Sequence, residues 1–396
     1  MNAPSYSHIY NEPLSMLCKK LEEDEGTIGT AFPYVTAPDG SWKVMSSSVS
    51  AGYHGENWDH GNWFCGFWVG LLLAAYLHSG DEKFLGLARD RMALVAQRAD
   101  DGNTHDIGFI FLSSAVPLYH ITGERLYRDI AMRAAERLRA RLVVTRRGSY
   151  ISSWGPMSDP RGRASSAIDT MANIPLLYWA ARESGDASFQ LAAISHARMT
   201  DQSFTRPDQT LYHAVQYDTV SGERLRGYTF QGYGDESSWS RGTGWAVYGL
   251  AATAAATGDR SYLDRASSLA KKWLEQLGDG VVPPWDFDDP TPQPVLDSSA
   301  SAIMAAALVD LADLYPDEKQ RIFWRGEAER LLSGLCYEFL AKDPAHRGIL
   351  RRACYSKPHN VGVESAVMFG DYFFFEAIMR VVMPEKFIRQ HERLSL

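Results

Sequence analysis

The stretch "SGDEKF", residues 79–84, is the first of four similar stretches that decide how this chain folds. The others are "TGERLY" at 122–127, "SGDASF" at 184–189 and "TGDRSY" at 257–262, and a weaker copy, "YPDEKQ", begins at Tyr315. Each copy follows an apolar run rich in helix formers. The glycine suits the left-handed backbone that ends many helices, and the acidic residue stabilises the first turn of the next helix. The repeats therefore predict a series of helical hairpins.

Two kinds of helical run alternate between these repeats. Runs such as "FLGLARDRMALVAQRA" and "SYLDRASSLAKKWLEQL" place apolar residues three and four apart with charges between them, which is typical of an outer layer. Runs such as "WFCGFWVGLLLAAYL" and "GWAVYGLAATAAA" are apolar nearly all round and must be covered on every side. The alternation predicts two concentric rings of helices, an all-α toroid. Residues 1–396 contain no linker or low-complexity tract, so we expect a single domain.

Short strands are predicted within the loops. The stretch "RLVVTRRGSYISSW", residues 141–154, alternates and is β-branched. The stretch "LYHAVQYDTVSGERLRGYTFQ", residues 211–231, contains a Ser-Gly turn between two alternating runs. Both patterns favour β-hairpins. The proline-rich "VVPPWDFDDPTPQP", residues 281–294, indicates a long ordered loop.

The charge and the apolar runs argue against several classes of partner. The chain has 396 residues, a formal net charge of −8 and no basic stripe, which argues against nucleic-acid binding. Its longest strongly apolar run, residues 65–77, is shorter than the roughly 20 residues that span a bilayer, so we expect no membrane segment. The first residues lack a secretory pattern, and the cysteines at 18, 65, 336 and 354 form no CxxC pair. We therefore expect a cytoplasmic protein with reduced, mostly buried cysteines.

Two aspartates stand at the heads of apolar runs. Asp106 belongs to "HDIGFIF", residues 105–111, and Asp169 belongs to "AIDTMANIPLLYW", residues 167–179. In a double ring the N-termini of the inner helices converge at one opening, so we expect both carboxylates there. The simpler interpretation is two ordinary N-caps, each stabilising its helix by about 1 kcal/mol.

Aromatic residues fall near the same predicted loop ends. Trp63, Phe67, Trp154 and Trp245 together predict a stacking surface for the face of a sugar ring. The alternative for each of them alone is core packing, which is the commoner role of a tryptophan at helical spacing.

One arginine is a candidate anion-binding group. Arg241 lies four residues before Trp245 on the same helical face, which places a fixed cation beside the aromatic wall and suits a carboxylated ring. The alternative is an ion pair of Arg241 with Asp235 or Glu236 in "GDESSW".

Three polar residues in predicted loops complete the candidate site. They are His105, His213 and Gln231, and polar groups in loops are often functional, although a structural role for each histidine stays open. The sequence has no HExxH motif and no clustered His and Cys, so we expect no metal. It also lacks a GxSxG elbow, a P-loop and a GxGxxG motif, which argues against a serine hydrolase, an NTPase and a dehydrogenase.

These stretches, taken together, resemble the unsaturated glucuronyl hydrolases of glycoside hydrolase family 88. The resemblance extends from about residue 57 to residue 380 and rests on six motifs in a shared order: "NWFCGFWVG", "HDIGFIF", "AIDTMANIPLLYW", "DESSWSRGTGWAVYG", "DSSASAI" and "GVESAVMFGDYFFFEAIMR". It implies an (α/α)6 barrel of six helical hairpins with short β-hairpins in its loops, and an enzyme that uses no cofactor.

The resemblance also implies roles for individual residues. Asp169 occupies the aspartate of "IDxMxNxPLLYWA" and is similar to the family's general acid/base, and Asp106 is similar to its second essential carboxylate. The residues implied to hold the unsaturated uronate are Trp63, Phe67, His105, Trp154, His213, Gly227, Thr229, Gln231, Arg241 and Trp245.

The sequence departs from the family pattern in two places. Thr243 and Gly244 stand where Gln and Ala are expected. Glycine inside a helix costs about 1 kcal/mol relative to alanine, so we predict a local opening or a closer ligand approach there. Near the C-terminus, Lys357 and His359 are candidates for contacts to the leaving sugar or to a sulfate on it.

The implied substrates are unsaturated uronate-containing oligosaccharides, in which a polysaccharide lyase has left a 4,5 double bond. That double bond is part of a vinyl ether. Protonation at C4 and addition of water at C5 give a hemiketal, whose opening releases the rest of the saccharide. The reaction needs an acid, whereas an ordinary aspartate has a pKa of about 3.9. We therefore expect burial by the aromatic residues and the like charge of Asp106 to raise the pKa of Asp169.

Three alternatives stay open at this point. An unsaturated rhamnogalacturonyl hydrolase would share the barrel and the chemistry but act on pectin fragments. A sugar epimerase on such a barrel would interconvert saturated sugars with a pair of histidines. A non-catalytic glycan-binding toroid would bind saccharides without turning them over, and similarity of fold alone does not decide among these.

Overall fold

The computed structural model describes residues 6–48 and 62–384. In these residues, six helices form an outer ring. They are α1 Asn11–Glu25, α3 Glu82–Val95, α6 Arg125–Arg139, α10 Ala187–Phe204, α12 Arg260–Leu277 and α14 Glu318–Gly334. Each buries one stripe and exposes another, as the spacing of their apolar residues predicts. Residues 1–5 of the N-terminal stretch in which the secretory pattern was sought, and residues 57–61, where the family resemblance begins, lie outside the described residues.

The inner ring consists of helices that are buried on nearly all sides. They are α2 Cys65–Ser79, the pair α4 Ile107–Leu112 and α5 Ala115–Thr122, the pair α8 Thr170–Asn173 and α9 Pro175–Ser184, α11 Ser240–Thr257, α13 Ser298–Leu314 and α15 Met368–Val382. In α11 every residue from 240 to 254 is buried. Outer and inner helices alternate along the described chain in six hairpins. The predicted all-α double ring, an (α/α)6 barrel, is therefore confirmed.

Glycines allow the inner helices to pack closely around the ring. A Cβ atom on Gly108 of α4 would lie 2.4 Å from the carbonyl oxygen of Asn173 in α8, and one on Gly249 of α11 would lie 2.1 Å from the carbonyl oxygen of Met171. Such distances are far below van der Waals contact, so no larger residue fits at either position. Contacts too close for a Cβ atom recur at other junctions of the inner ring, at Gly66, Gly70 and Gly370.

Short turns join each inner helix to the next outer helix, at what we call the turn end of the barrel. The glycines of the four repeats, Gly80, Gly123, Gly185 and Gly258, all have positive φ of 69–73°. Asp81, which follows the first of them, accepts a hydrogen bond from the backbone N–H of Lys83 at 2.9 Å. The hairpin turns are therefore built as the repeats predict.

Long connections join each outer helix to the next inner helix at the opposite side, which we call the loop end. They contain all the named strands of the described residues: β1 Phe32–Thr36, β2 Trp42–Met45, β3 Leu142–Val144, β4 Ser149–Ile151, β5 Ser165–Ala167, β6 Ala214–Tyr217, β7 Arg224–Tyr228, β8 Ala353–Ser356 and β9 Val361–Ser365. They also contain the short helix α7 Pro160–Ala164. The two predicted hairpins are β3–β4 and β6–β7, and β5 adds a third strand beside β6. The N-termini of the inner helices open into these loops.

Two other expectations can be compared with the structure. Across residues 6–48 and 62–384, no helix is both long and apolar enough to cross a bilayer. The four cysteines are free, and Cys65, Cys336 and Cys354 are buried while Cys18 is partly buried, as the sequence predicts.

Candidate active site at the loop end

Asp106 and Asp169 directly precede α4 and α8, but neither caps its helix. Both residues have right-handed helical backbone angles. Neither side chain accepts a hydrogen bond from a backbone N–H of the helix that it precedes, α4 or α8. An N-cap aspartate usually has extended backbone angles that turn its carboxylate back onto the helix. The interpretation of the two residues as ordinary caps is therefore wrong.

The two helices are joined at their first turns by Asn173. Its side-chain oxygen accepts a hydrogen bond from the backbone N–H of Phe109 at 2.6 Å, and its amide nitrogen donates to the backbone oxygen of Asp169 at 3.0 Å. Gly108 packs directly on the Asn173 backbone. The starts of α4 and α8 are consequently held together, with their aspartates on the same side.

One carboxylate oxygen of Asp169 is buried and lacks a hydrogen-bond partner among the described residues. This atom, Oδ2, lies 3.7 Å from Nε2 of His213. The pKa of Asp169 is raised to about 6, mainly by burial and further by the charge of Asp106, against the lowering effects of His105 and Arg241. Asp169 therefore keeps its proton in weakly acidic solution, well above the pH at which an ordinary aspartate loses it. The predicted direction of the pKa shift and both predicted causes agree with the structure.

Asp106 is held by its neighbours. Its Oδ2 accepts a hydrogen bond from the hydroxyl of Thr104 at 2.9 Å, and its Oδ1 lies 3.2 Å from Nε2 of His105. The other ring nitrogen of His105 contacts the hydroxyl of Thr170, the residue after Asp169. His105 therefore bridges the segments that carry the two aspartates.

His213 faces Asp169 from the adjacent loop. Its Nδ1 lies 2.8 Å from the hydroxyl of Thr229, and its ring packs between Phe230 and Trp239 at centroid distances of 4.1 and 4.2 Å. Burial, with smaller contributions from the charges of Arg241 and His105, lowers the pKa of His213 well below its usual value. A neutral His213 therefore places a second unpartnered polar atom, Nε2, in the site as the structure describes it.

The aromatic residues divide into a wall and a core. Trp154 is half-buried and lies beside His105 and Phe230, with ring centroids 5.8 and 4.8 Å apart. Phe67 and Trp245 are 1% and 0% exposed. A sugar ring cannot stack on faces that are already covered, so the stacking prediction is wrong for these two residues.

Trp63 and Trp245 lie at the base of the site. Trp63 is 8% exposed and stacks on Phe369 at 5.2 Å, while its indole nitrogen lies 3.4 Å from the hydroxyl of Tyr355. The indole N–H of Trp245 has no hydrogen-bond partner among the residues described.

Arg241 is bound on all sides by protein groups. It forms an ion pair with Asp297 at 2.5 Å, and donates to the backbone oxygens of Cys354 and Tyr355 and to the side-chain oxygen of Gln231. The alternative pairing with Asp235 or Glu236 is therefore wrong.

The aromatic neighbours of Arg241 also differ from the prediction. Its guanidinium lies over Trp239 and Phe369, at 4.6 and 4.9 Å, and not over Trp245. Arg241 is nevertheless the group that orients Gln231.

The remaining candidates have mainly structural contacts. Gly227 packs on the ring of Tyr212, where a Cβ atom would lie 2.1 Å away, and Gly244 packs against Ile303 of α13. The close approach predicted at Gly244 is thus between helices and not to a ligand. Thr243 beside it is buried. Lys357 and His359 are exposed, and His359 contacts the hydroxyl of Ser356 at 2.8 Å.

Sequence reasoning missed several residues of this site: Thr104, Thr170, Asn173, Phe230, Trp239, Asp297 and Tyr355. Some of them had a local signal, because Thr104 and Thr170 stand beside the two aspartates and Asp297 opens the quoted "DSSASAI" motif. No group of three or more His, Cys, Asp or Glu side chains in residues 6–48 and 62–384 is placed to hold a metal ion.

Comparison with known proteins identifies the family of the chain. The model of Glycosyl Hydrolase Family 88 matches residues 41–359. The chain belongs to this family. An unsaturated glucuronyl hydrolase of Bacillus sp. (strain GL1) is 31% identical over 361 residues, which cover 89% of this chain and 91% of the relative. The family resemblance and the identification as an enzyme, a glycoside hydrolase, are therefore confirmed.

Other family 88 relatives differ in the substrates that their names state. An unsaturated chondroitin disaccharide hydrolase of Streptococcus agalactiae serotype III (strain NEM316) is 28% identical over 93% of this chain and 90% of its own length. The crystal structure of an unsaturated glucuronyl hydrolase specific for heparin has a TM-score of 0.84 and 28% identity, and covers 96% of this chain and 98% of its own.

Proposed function

We propose that this family 88 hydrolase releases 4,5-unsaturated uronic acid from the non-reducing end of oligosaccharides produced by polysaccharide lyases. The observation that carries the proposal is the buried Asp169 carboxyl group, which has an unpartnered oxygen and a pKa raised to about 6. An acid of this strength, placed opposite a neutral His213 and beside Asp106, suits protonation of an electron-rich double bond near neutral pH.

The proposed reaction begins with proton transfer from Asp169 to C4. The electrons of the C4=C5 bond form the new C–H bond, and the positive charge at C5 is shared with the ring oxygen. Asp106 stabilises this charge. Water then adds to C5 and gives its proton to the Asp169 carboxylate, which restores the acid. The hemiketal opens at the C5–O5 bond, and the hemiacetal formed at C1 releases the leaving sugar. Because the glycosidic bond is not attacked directly, the separation of the carboxylates does not predict retention or inversion.

The other site residues have proposed roles in holding the uronate. Gln231 is fixed by Arg241 and offers an amide nitrogen to the sugar, while Arg241 contributes positive charge for the carboxylate. Trp154 offers a half-exposed ring at the wall. The additional residues proposed to bind the substrate are Trp63, Phe67, His105, His213, Gly227, Thr229 and Trp245, with Phe67 and Gly227 acting through packing.

Two properties of the whole chain belong to the same proposal. We place the enzyme in the cytoplasm, since its four cysteines are free. We also propose that residues 1–396 act as one catalytic domain, because inner and outer rings alternate through the described sequence without a separate unit.

The test uses the ultraviolet absorbance of the unsaturated uronate, which is lost when the double bond is hydrated. Wild type is expected to remove the absorbance of unsaturated glycosaminoglycan disaccharides, and Asp169→Asn is expected to lose about 10³-fold or more in kcat, because it removes the general acid. Turnover of pectin-derived fragments alone would favour the rhamnogalacturonyl alternative. Turnover by Asp169→Asn at the wild-type rate would remove Asp169 from the mechanism, and binding of saccharide without turnover by wild type would contradict hydrolysis.

A further inference from the structure

A row of polar and aromatic side chains continues outward from the site along one face of the β5–β6–β7 sheet. Phe230, beside Trp154 and His213, follows shortly after Tyr228 at the end of β7. Arg226 precedes Tyr228 by two residues, which is about 7 Å along the strand and on the same face. The guanidinium of Arg226 lies 5.0 Å from the centroid of the Tyr228 ring.

A β-bulge places Arg224 and Arg226 on opposite faces of this sheet. Gln216 pairs with Arg226, whereas the next residue, Tyr217, pairs with Arg224, so β7 carries one extra residue at this point. Successive residues of β6 face opposite sides of the sheet, and Arg224 and Arg226 therefore do so as well. Bulges beside active sites commonly re-aim a side chain in this way. Without the extra residue both arginines would lie on one face.

The two arginines have different partners as a result. Arg224 packs on the ring of Tyr212 and donates to the backbone oxygen of Ser203 at 2.8 Å. Arg226 donates from Nε to the side-chain oxygen of Gln216 at 3.0 Å and, within the described residues, forms no ion pair. Arg226 is therefore an exposed cation that is oriented by two neighbours and keeps both terminal amino groups for a ligand.

We propose that Arg226 forms a subsite for an oxyanion, a sulfate or a carboxylate, on the part of the oligosaccharide beyond the unsaturated uronate. The inference rests on the proposed function, because the uronate end of the substrate must occupy the Asp169 site for the rest of the chain to reach this face. Tyr228 supplies an aromatic surface between the two positions, and the arginine supplies paired N–H donors for two oxygens of the anion.

The experiment compares three substrates: an unsaturated chondroitin disaccharide without sulfate, the same disaccharide with one sulfate on the galactosamine, and an unsulfated unsaturated tetrasaccharide, whose second uronate supplies a carboxylate. In Arg226→Gln, the kcat/KM of a substrate with the additional sulfate or carboxylate, relative to that of the unsulfated disaccharide, is expected to fall about three- to five-fold through KM, as suits one exposed charge pair. The substrate for which the ratio falls identifies the anion as sulfate or carboxylate. The effect should shrink at about 1 M salt.

Two further variants serve as controls. Arg226→Lys keeps the charge and is expected to retain part of the preference. Arg147→Gln removes another exposed arginine, which pairs with Glu223 near the turn of the same sheet, and should leave the ratios unchanged. Unchanged ratios in Arg226→Gln, with an active wild type, would overturn the subsite and leave the proposed function standing. Failure of wild type to hydrolyse any unsaturated saccharide would instead overturn the proposed function and the subsite with it.

Discussion

The turn end and the loop end of the barrel both place aspartates directly before helices, and the turn-end aspartates differ from Asp169 at the loop end in what their carboxylates bind. At the turn end, Asp186 and Asp259 have extended backbone angles and accept hydrogen bonds from Ser188 and Ser261. These serine hydrogen bonds hold the pKa of both aspartates below the usual value. At the loop end, Asp169 has helical backbone angles and no cap contact to the described helix that follows, and its pKa is raised to about 6.

This difference teaches that a position before a helix does not decide the role of an aspartate. The backbone conformation decides whether the carboxylate reaches the free N–H groups of the first turn. Burial then decides whether the carboxylate stays charged. Asp297 at the loop end follows the same rule: it has non-helical backbone angles, and its buried carboxylate accepts a hydrogen bond from the backbone N–H of Ser299 in α13.

The largest expected effect is a difference in kcat between an Asp→Asn variant at the loop end and one at the turn end. Asp106→Asn removes the charge proposed to stabilise the C5 cation and should lower kcat by about 10²-fold or more, as measured by loss of ultraviolet absorbance on an unsaturated disaccharide. The matched control is Asp186→Asn at the turn end, since asparagine also caps helices and no change in kcat is expected. Similar activity of the two variants would show that the ends do not differ in the way proposed.

The next effect is the dependence of activity on pH. If protonated Asp169 is the acid, kcat/KM should fall about ten-fold for each pH unit above about 6, as Asp169 loses its proton. An aspartate with an ordinary pKa would produce the fall above about pH 4. The measurement is kcat/KM between about pH 4.5 and 8.5, and a flat profile up to pH 8 would contradict an acid role for Asp169.

The smallest expected effect is on stability. Removing a turn-end aspartate should lower the stability of the fold, whereas removing the charge of Asp169 at the loop end should raise it. Asp81→Ala removes the hydrogen bond to the N–H of Lys83 and should cost about 1 kcal/mol in the free energy of unfolding.

The folded-state pKa of Asp169 is raised, so its ionisation reduces stability as pH rises through about 6. Asp169→Asn should therefore raise the melting temperature at pH 8 and leave it nearly unchanged near pH 4. A lower melting temperature for Asp169→Asn at pH 8 would contradict the raised pKa.

Much of the fold could be predicted because its signals are local. The repeated Gly-acidic turns specify left-handed caps and helix starts within about six residues, and the apolar pattern of each run distinguishes inner from outer helices. The heads of two inner runs likewise marked Asp106 and Asp169. The number of hairpins came from the family resemblance, and the described structure contains the same six.

The contacts of the site were harder to predict because they join distant parts of the chain. Arg241 pairs with Asp297 and not with the acidic residues nearby in sequence, since only packing of α11 against α13 brings that carboxylate within reach. Phe67 and Trp245 carry the same aromatic signal as Trp154, yet only Trp154 is left half-exposed by its loop. The sequence by itself determined the hairpins, the two rings and the aspartates at the heads of two inner helices, because these depend on neighbours along the chain. The tertiary structure alone decided which aromatic residues are covered and which partner Arg241 holds, because burial and contacts depend on residues that folding brings together.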